Sequence, residues 1–371
     1  MKRKVLTSRV ATAALAVFCV GMADAQENGY INGVYSLFSF NPSTGAILNS
    51  YSGAGTSEPF AVATDDVTLY LPYYGAPAEA LLTVSGQTGK TEGYVGVGPL
   101  VYNGVALTKD GLTAYVTTRE GVSVIDTATF TVTGSIPQVG PAFDVALSPD
   151  DSTLYISINC PDACPPPGAC PLKIGVCAFN AATLAFEWQV KNVTGLLSVS
   201  NDRTSLYLAG SIITGKPAYP LNAINTTTQA VTNLDVYFER AFPPIRIITD
   251  PASHYAVVIL QSLSTGTQTA ASAYLLNTSN NKFVETLFTA APGGMALASP
   301  ASGVAFAPDG KSVWMLLSCG MNRVPNCADE SGQIYLAGFS LPSGALISDQ
   351  PVPGEFWGEN DGNVDSVAFP R

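Results

Sequence analysis

The chain alternates short apolar segments with short polar turns, and this alternation recurs as a unit. Each unit has an apolar strand, a turn that contains Asp, and a second strand that carries an aromatic residue. This pattern predicts β-strands joined by tight turns. The units are AVATDDVTLYLP (61–72), VALTKDGLTAYVTT (105–118), VALSPDDSTLYISI (145–158), LSVSNDRTSLYLAG (197–210), the degraded RIITDPASHYAVVI (246–259) and VAFAPDGKSVWMLL (304–317).

The spacing of these units predicts their architecture. Successive aromatic positions lie 40 to 58 residues apart, which accommodates about four short strands per unit. A third strand such as VSVIDTATF (122–130) and a fourth such as TVTGSIP (131–137) follow the aromatic strand. Four antiparallel strands repeated at this period are typical of a propeller blade. The aromatic positions are Tyr70, Tyr115, Tyr155, Tyr207 and Trp314, with Ala256 in the degraded unit.

The two ends of the chain complement each other. Residues 30–32 and 34–52 match the second, third and fourth strands of a unit, and residues 364–369 match only a first strand. Paired, they form a seventh blade that removes the open edges of the ring. The sequence therefore predicts an all-β, seven-bladed β-propeller with four-stranded antiparallel blades. We expect one domain over residues 26–371, closed by N-terminal strands that pair with the C-terminal strand.

Two consecutive units resemble a known repeat. AYVTT (114–118), VSVIDTAT (122–129) and SIPQVGPAFDVALSPDD (135–151) are similar to the YVTN-type β-propeller repeat, and the match weakens outside residues 104–158. The resemblance implies a seven-bladed ring. It implies little about activity, because the family includes surface-layer and adhesion-like proteins together with relatives of lactonases and dehydrogenase heavy chains.

The N-terminus has the features of a signal peptide. Three basic residues (2–4) precede an apolar run (11–20) and the small-residue site Ala23-Asp24-Ala25. We therefore expect cleavage after Ala25 and a secreted or periplasmic protein. Residues 1–25 contain four of the 17 basic and one of the 28 acidic residues, which leaves a net charge of −14. This charge argues against nucleic acid as a partner, and no later apolar stretch is long enough to span a bilayer.

The six cysteines after residue 25 are even in number, which predicts disulfides in an oxidising compartment. We expect Cys319 to pair with Cys327, and the other four to pair among themselves in one of three connectivities. They lie in or beside long loops between second and third strands. Such loops either form a recognition rim or need staples against proteolysis. The six are Cys160, Cys164, Cys170, Cys177, Cys319 and Cys327.

The repeat gives the ring two different faces. The turn face has short, uniform turns between first and second strands, at residues 64–66, 109–111, 149–151, 201–203 and 308–310. The loop face has long, irregular loops between second and third strands, at residues 72–80, 159–173, 210–220, 261–273 and 319–332. Because binding and catalysis usually occupy variable loops on a rigid scaffold, the loop face is the expected functional face.

Candidate chemistry lies at the start of the innermost strands, near the loop-face mouth of the channel. Glu58, Asp144 and Asp365 are the carboxylates there, and Arg246 is the only base. They provide an acid-base pair for catalysis, or their carboxylates hydrogen-bond the backbone of a neighbouring blade. His254, the single histidine, aligns beside the turn face, which argues against a two-histidine metal site or a Ser-His-Asp triad.

The segment GEFWGENDGNVD (354–365) offers a second candidate. Phe356 and Trp357 are aromatic contacts for a ligand, joined on the same rim by Tyr73 and Tyr74. Ca²⁺, which prefers oxygen ligands, is the one predicted cofactor. Its expected ligands are the acids of this segment, Glu359, Asp361 and Asp365, or alternatively the carboxylates at the channel mouth. The alternative is that Trp357 packs on the last blade while the acids are solvated.

These features favour a binding function. We expect an exported, monomeric interaction module that presents a disulfide-stapled rim to a glycan, a cell-surface component or a protein. The alternative is a lactonase-like or polysaccharide-lyase-like enzyme that works at the channel mouth with the carboxylates and Arg246. An enzyme requires these groups to converge around a pocket, whereas a binding module requires an exposed contact surface on the rim.

Overall fold

The computed structural model describes residues 28–33, 36–53, 60–73, 79–137, 141–158, 174–209, 221–234, 244–261, 271–289, 296–297, 303–318, 333–356 and 366–370. The strands within these residues are, in chain order, β1 (Gly29–Asn32), β2 (Ser36–Phe40), β3 (Ile47–Ser52), β4 (Ala61–Val62), β5 (Thr68–Tyr73), β6 (Ala80–Ser85), β7 (Thr91–Gly96), β8 (Leu100–Leu107), β9 (Thr113–Thr118), β10 (Gly121–Asp126), β11 (Thr131–Ile136), β12 (Ala142–Leu147), β13 (Thr153–Ile158), β14 (Gly175–Asn180) and β15 (Phe186–Lys191). They continue with β16 (Leu196–Val199), β17 (Ser205–Ala209), β18 (Asn222–Asn225), β19 (Val231–Asn233), β20 (Pro244–Thr249), β21 (Tyr255–Gln261), β22 (Ala271–Asn277), β23 (Lys282–Thr289), β24 (Ala296–Leu297), β25 (Val304–Phe306), β26 (Ser312–Ser318), β27 (Gln333–Ser340), β28 (Leu346–Phe356) and β29 (Ser366–Ala368).

These strands form seven antiparallel sheets, which confirms the predicted seven-bladed β-propeller. Blade 1 has the order β29-β1-β2-β3, and blades 2 to 6 each contain four consecutive strands, from β4-β5-β6-β7 to β20-β21-β22-β23. In blade 7 the innermost position is divided between β24 and β25, which both pair with β26, followed by β27 and β28. No helix in the described part of the chain is long and apolar enough to cross a bilayer.

The two chain ends close the ring as predicted. In blade 1 the C-terminal strand β29 is innermost and pairs antiparallel with β1, with Ile31 opposite Val367 and Tyr30 opposite Ala368. The N-terminal segment therefore supplies three strands of this blade and the C-terminal segment the fourth. Opening the ring at this point would therefore break the whole pairing between β29 and β1.

Seven apolar clusters hold the blades together, one at each interface between neighbours. The repeated aromatic residue of the second strand faces the next blade in each case and is nearly or fully buried. Directly opposite it on the first strand is a small residue, which leaves space for the ring. The pairs are Tyr30 with Ala368, Tyr70 with Ala61, Tyr115 with Ala106, Tyr155 with Ala146, Tyr207 with Ser198 and Trp314 with Ala305.

Blade 6 corrects one residue of the predicted alignment. Val257, and not Ala256, lies opposite the first strand at the anchor position, where its partner is the larger Ile248. The smaller anchor is thus compensated by a larger partner. The shift moves His254 one position into the turn, where it is exposed and its carbonyl oxygen accepts a hydrogen bond from the Thr278 N–H. His254 therefore lies on the turn face, as the alignment predicted.

The turn face is built from one repeated device. The central Asp of each turn accepts hydrogen bonds from the residues that follow it, as Asp110 does from the Leu112 N–H at 2.9 Å. The third residue has a positive φ, which glycine adopts without strain and other residues adopt less readily. Two turns use glycine there (Gly111 and Gly310), and the others use Asp66, Asp151 and Arg203.

Candidate functional site

The structure describes only part of the predicted rim. Asp144, Arg246, Tyr73 and Cys177 are described, and Phe356 ends β28 with its side chain outside the description. Tyr73 ends β5 on the loop face and is 42% exposed. The remaining candidates lie outside the described residues: Glu58, Tyr74, Trp357, Glu359, Asp361, Asp365, Cys160, Cys164, Cys170, Cys319 and Cys327. Of the predicted catalytic residues, the structure therefore describes Asp144 and Arg246.

Asp144 joins two blades through its carboxylate. It lies near the start of β12 in blade 4 and is only 7% exposed. One carboxylate oxygen, Oδ1, accepts the Val145 N–H at 2.9 Å. The other, Oδ2, accepts the Leu197 N–H of blade 5 at 2.7 Å. Asp144 thus forms the backbone tie between blades that the structural alternative predicted.

Arg246 brings a third blade to the same point. It occupies the position in β20 of blade 6 that corresponds to Asp144 in blade 4, and its Nη1 lies 3.9 Å from Asp144 Oδ2. Its side chain is 20% exposed, so part of the guanidinium reaches the channel mouth. The Nε atom is buried and has no hydrogen-bond partner. Asp144 and Arg246 therefore converge, which is what the enzyme alternative requires of them.

Burial dominates the electrostatics of this pair. It raises the pKa of the Asp144 carboxyl, while the Arg246 charge and the backbone N–H groups of Leu197 and Val145 oppose that rise. Burial also lowers the pKa of Arg246, which the Asp144 charge opposes. Each residue therefore favours the charged form of the other. Removal of either residue leaves an uncompensated charge at the channel mouth.

Hydroxyl side chains surround the pair at the loop-face end of the inner strands. Ser157 lies directly opposite Asp144, and its hydroxyl is 2.8 Å from Thr194 Oγ1 and accepts the Gly195 N–H at 3.0 Å. In blade 3, Thr117 accepts the Gly104 N–H at 2.9 Å. The sequence analysis missed these residues. Their signal is that Thr117 and Ser157 each follow an anchor tyrosine by two positions.

The opposite end of the channel has a different character. A cavity of about 380 Å³ lies there, lined by inner-strand residues of every blade. Lys109 is the one charged residue among the described residues of its lining. At one level the ring is almost entirely small or apolar: Ala61, Ala106, Ala146, Ser198, Ile248, Ala305 and Ala368. The charged pair and the described cavity thus occupy opposite ends of the channel.

Cys177 is the one predicted disulfide cysteine among the described residues. Its side chain is fully buried in β14, within the apolar cluster between blades 3 and 4 that includes Ile156 and Phe179. Burial raises its pKa to about 12. Its predicted partners Cys160, Cys164 and Cys170 lie outside the described residues, so the disulfide of Cys177 stays a prediction. The other five cysteines, and the pairing predicted for them, lie outside the described residues.

The described residues give no metal centre to compare with the Ca²⁺ prediction. Among them, no group of three or more His, Cys, Asp or Glu side chains is placed to hold a metal ion. Glu359, Asp361 and Asp365 lie outside that set, so the Ca²⁺ site stays a prediction.

Comparisons with known structures agree with the fold. The chain is similar to a protein of Desulfotomaculum acetoxidans DSM 771 described as functionally unknown, over 93% of this chain and 99% of that one, with 14% identity and a TM-score of 0.61. It is also similar to hydrazine synthase of Kuenenia stuttgartiensis, over 76% of each chain, with 15% identity and a TM-score of 0.55. At these identities the likeness shows the fold alone.

No family model matches the chain, and no curated protein sequence matches it. The seven-bladed propeller is therefore established by the architecture, whereas membership of the YVTN-type repeat family stays a prediction from residues 104–158.

Proposed function

We propose that this protein is an exported, monomeric binding module whose loop face captures a glycan, a cell-surface component or a protein. The contact surface comprises the long loops, with their predicted disulfides and the aromatic residues Phe356, Trp357, Tyr73 and Tyr74, around a channel mouth that contains Arg246. Signal-peptide cleavage after Ala25 delivers the protein to the secreted or periplasmic space where such partners occur. The predicted Ca²⁺ site at Glu359, Asp361 and Asp365 is part of this rim.

The state of Arg246 is the observation that carries the proposal. A guanidinium has five N–H donors in a planar fork, which suits recognition of paired oxygen atoms. Arg246 is fixed by its ion pair at 3.9 Å and partly exposed at the mouth, and its buried Nε makes no hydrogen bond. A positioned, partly exposed guanidinium with donor capacity supports binding of an oxygen-rich ligand group there.

The first test is a thermal-shift screen of the mature protein with defined oligosaccharides, namely oligogalacturonate, chitohexaose and cellohexaose, with and without Ca²⁺. A ligand that binds only the folded state stabilises it by about 2.7 kcal/mol at a hundredfold excess over its Kd. We expect one probe to raise the Tm, and Trp357→Ala to reduce that shift without lowering the Tm of the free protein. No shift with any probe, or an unchanged shift in the variant, would count against glycan capture at this rim.

A second candidate function is enzymatic, and it is favoured by the convergence of Asp144 and Arg246. A lactonase-like or polysaccharide-lyase-like reaction needs a carboxylate or base beside a cation that stabilises developing negative charge. Both Asp144 oxygens, however, accept backbone N–H groups. Turnover of lactone or uronate substrates that is abolished in Asp144→Asn while its Tm is preserved would establish the enzyme. A large fall in Tm, without turnover in the wild type, would leave Asp144 as a tie between blades.

A further inference from the structure

A second pocket lies on the turn face, in the cleft between blades 4 and 5. Its volume is about 200 Å³, and it is separate from the Asp144 and Arg246 pair at the loop face. It is lined by Ser148, Asp150, Ser152, Thr153, Tyr155, Glu187, Trp188, Arg203 and Thr226. Neither the fold nor the proposed loop-face function accounts for this combination of side chains.

The anchor tyrosine at this cleft, Tyr155, differs from three equivalent tyrosines in the contact that its hydroxyl makes. The hydroxyl of Tyr115 donates to the Ala181 carbonyl of the next blade at 2.9 Å, and that of Tyr207 donates to Asn281 Oδ1 at 2.6 Å. Tyr30 donates to the Asp66 carbonyl at 2.6 Å. The Tyr155 hydroxyl instead contacts Thr153 on its own strand and lines the pocket. The Tyr155 hydroxyl thus lines the cleft, although the residue is only 4% exposed, whereas three other anchor tyrosines use theirs to bond the next blade.

Trp188 forms the aromatic wall of this pocket and is exceptional within the ring. Its ring centroid lies 5.8 Å from that of Tyr155, at 48° between the planes. In the other blades the corresponding position of the outermost strand, which pairs opposite the anchor's neighbour, is small or polar. These equivalents are Asn49, Gly93, Gly134, Thr232, Glu285 and Ser348. Because the six other blades form without an aromatic residue there, the fold does not require Trp188.

Charged groups form the rim beside that wall. The Asp150 carboxylate accepts the hydroxyls of Ser148 and Ser152 and pairs with Arg203 of blade 5. Burial alone raises the Asp150 pKa, but these hydrogen bonds and the Arg203 charge outweigh it and hold the pKa well below its ordinary value. Arg203 occupies the positive-φ position that glycine occupies in two other turns, with φ of 63°. Arg203 thus adopts a strained backbone conformation, and its guanidinium lines the pocket together with the exposed Glu187.

The chemistry of the walls selects the ligand class. An indole face packs against the C–H surface of a sugar ring, and planar carboxylate and guanidinium groups bind adjacent hydroxyls in pairs. Two carboxylates against one guanidinium disfavour a phosphate, and the many polar side chains disfavour an apolar ligand. The volume is below the roughly 300–1,000 Å³ of pockets for drug-sized ligands, which suits one ring. We propose that this pocket binds a single pyranose unit, with Trp188 as the stacking surface and Glu187 and Arg203 as hydroxyl contacts.

Saturation-transfer NMR of the mature protein with the methyl pyranosides of glucose, galactose, mannose and N-acetylglucosamine tests this proposal. We expect at least one to bind the wild type, and Trp188→Ala to weaken its binding at least tenfold. The matched control is Phe186→Ala, which removes a half-exposed aromatic residue of the same strand outside the pocket lining. Because Glu187 is exposed, Glu187→Gln keeps the fold and still removes a hydroxyl acceptor, so it serves if Trp188→Ala fails to fold.

Three outcomes would overturn the proposal. These are absence of binding by all four glycosides, equal binding by the Trp188→Ala and Phe186→Ala variants, and loss of binding on Arg246→Lys with retention on Glu187→Gln. The last outcome would assign the sugar to the loop face. Conversely, failure of loop-face capture with retained glycoside binding would remove the proposed function and leave this pocket intact, because the two sites lie on opposite faces.

Discussion

The two ends of the central channel are built from the same repeated strands but use opposite chemistry. At the turn end, structurally equivalent positions hold the same residue in five of the seven blades, namely the central aspartates Asp65, Asp110, Asp150, Asp202 and Asp309. At the loop end, equivalent positions near the start of the first strands differ from blade to blade. They hold Gly104, Asp144, Leu196, Arg246 and Gly303.

This difference separates what the fold needs from what this chain has added. The repeats of one chain must all satisfy the same packing requirements, so a residue present in most of them serves the common architecture. The turn aspartates and the ring of alanines belong to that class. By contrast, Asp144 lies in blade 4 and Arg246 in blade 6, and Asp144 also accepts a hydrogen bond from blade 5 between them. The loop end is therefore the specialised end of the channel.

The largest effect is expected from removing the charge at the loop end. Asp144→Ala leaves Arg246 without its counter-charge and the Leu197 N–H without its acceptor, so we expect a loss of about 3 kcal/mol in unfolding free energy. The matched control at the turn end is Asp309→Ala, which removes an exposed ion pair with Lys311 and an exposed hydrogen bond from the Lys311 N–H, and costs about 1 kcal/mol. Urea denaturation measures both. Equal losses would contradict the distinction between the ends.

Removing the cation is expected to be less costly and to change the pH dependence. Arg246→Met leaves Asp144 with two backbone donors, so we expect a loss of about 2 kcal/mol at pH 7. Burial already raises the Asp144 pKa in the folded state, and loss of Arg246 raises it further. The folded state then binds a proton more readily than the unfolded state. Stability of the variant should therefore rise as pH falls through the folded pKa, and level off below about pH 4.

That prediction is checked by thermal denaturation between pH 7 and pH 4. The wild type, with its ion pair intact, should show a weaker rise than Arg246→Met. Parallel Tm profiles for the two proteins would mean that Arg246 does not affect Asp144.

Blade 3 has a glycine at each end of the channel, so alanine substitutions there allow the packing at the two ends to be compared. A Cβ at Gly104 would lie 2.8 Å from Thr117 Cγ2 and 3.1 Å from Asp144 Oδ1, so Gly104→Ala should cost about 2 kcal/mol. A Cβ at Gly111 would make an ordinary contact with Thr64 Oγ1 at 3.4 Å, but the φ there is 70°, so Gly111→Ala should cost about 1 kcal/mol through backbone strain. Only the first should couple to Asp144→Ala in a double-mutant cycle. Coupling of Gly111→Ala would show that the ends are not independent.

The smallest effect concerns the turn aspartates in acid. Hydrogen bonds from Thr108 and the Leu112 N–H lower the Asp110 pKa, so this group stabilises the fold above its unfolded pKa near 4 and loses that effect as pH falls through the folded pKa. Asp110→Asn should lower the Tm by a few degrees at pH 7 and by less at pH 3. A difference that grows in acid would reverse the assigned sign.

Most of the fold was predictable because it repeats. The anchor aromatics, the Asp turns and the blade shared by the two chain ends each have a local signal, and the structure confirms the closure by β29. The blade 6 alignment was wrong by one residue because its anchor is Val257, which carries no aromatic signal. The positions of Asp144 and Arg246 at the starts of innermost strands predicted the loop-face mouth for both residues, but not their approach to 3.9 Å between blades 4 and 6.

Other features were not predictable, because they depend on side chains between blades. The sequence places Cys177 just after the cysteine-rich loop, but it does not show that the strand phase turns the Cys177 thiol toward Phe179 and the apolar cluster. Trp188 has no distinguishing signal in the sequence, because it differs from its equivalents only when the outer-strand positions of all seven blades are aligned by their strand pairing. The Ser157 and Thr194 contact joins a strand to a linker, a pairing that no local pattern encodes.

The central claim is that ligand capture occurs at the loop end of the channel. Isothermal titration calorimetry with the oligosaccharide that gives the largest thermal shift tests it in three proteins: wild type, Arg246→Lys and Lys109→Met. Arg246→Lys keeps the charge beside Asp144 but loses the guanidinium fork, whereas Lys109→Met removes the charged lining residue of the turn-end cavity. We predict at least tenfold weaker binding for Arg246→Lys and less than twofold change for Lys109→Met. The reverse order would contradict the account.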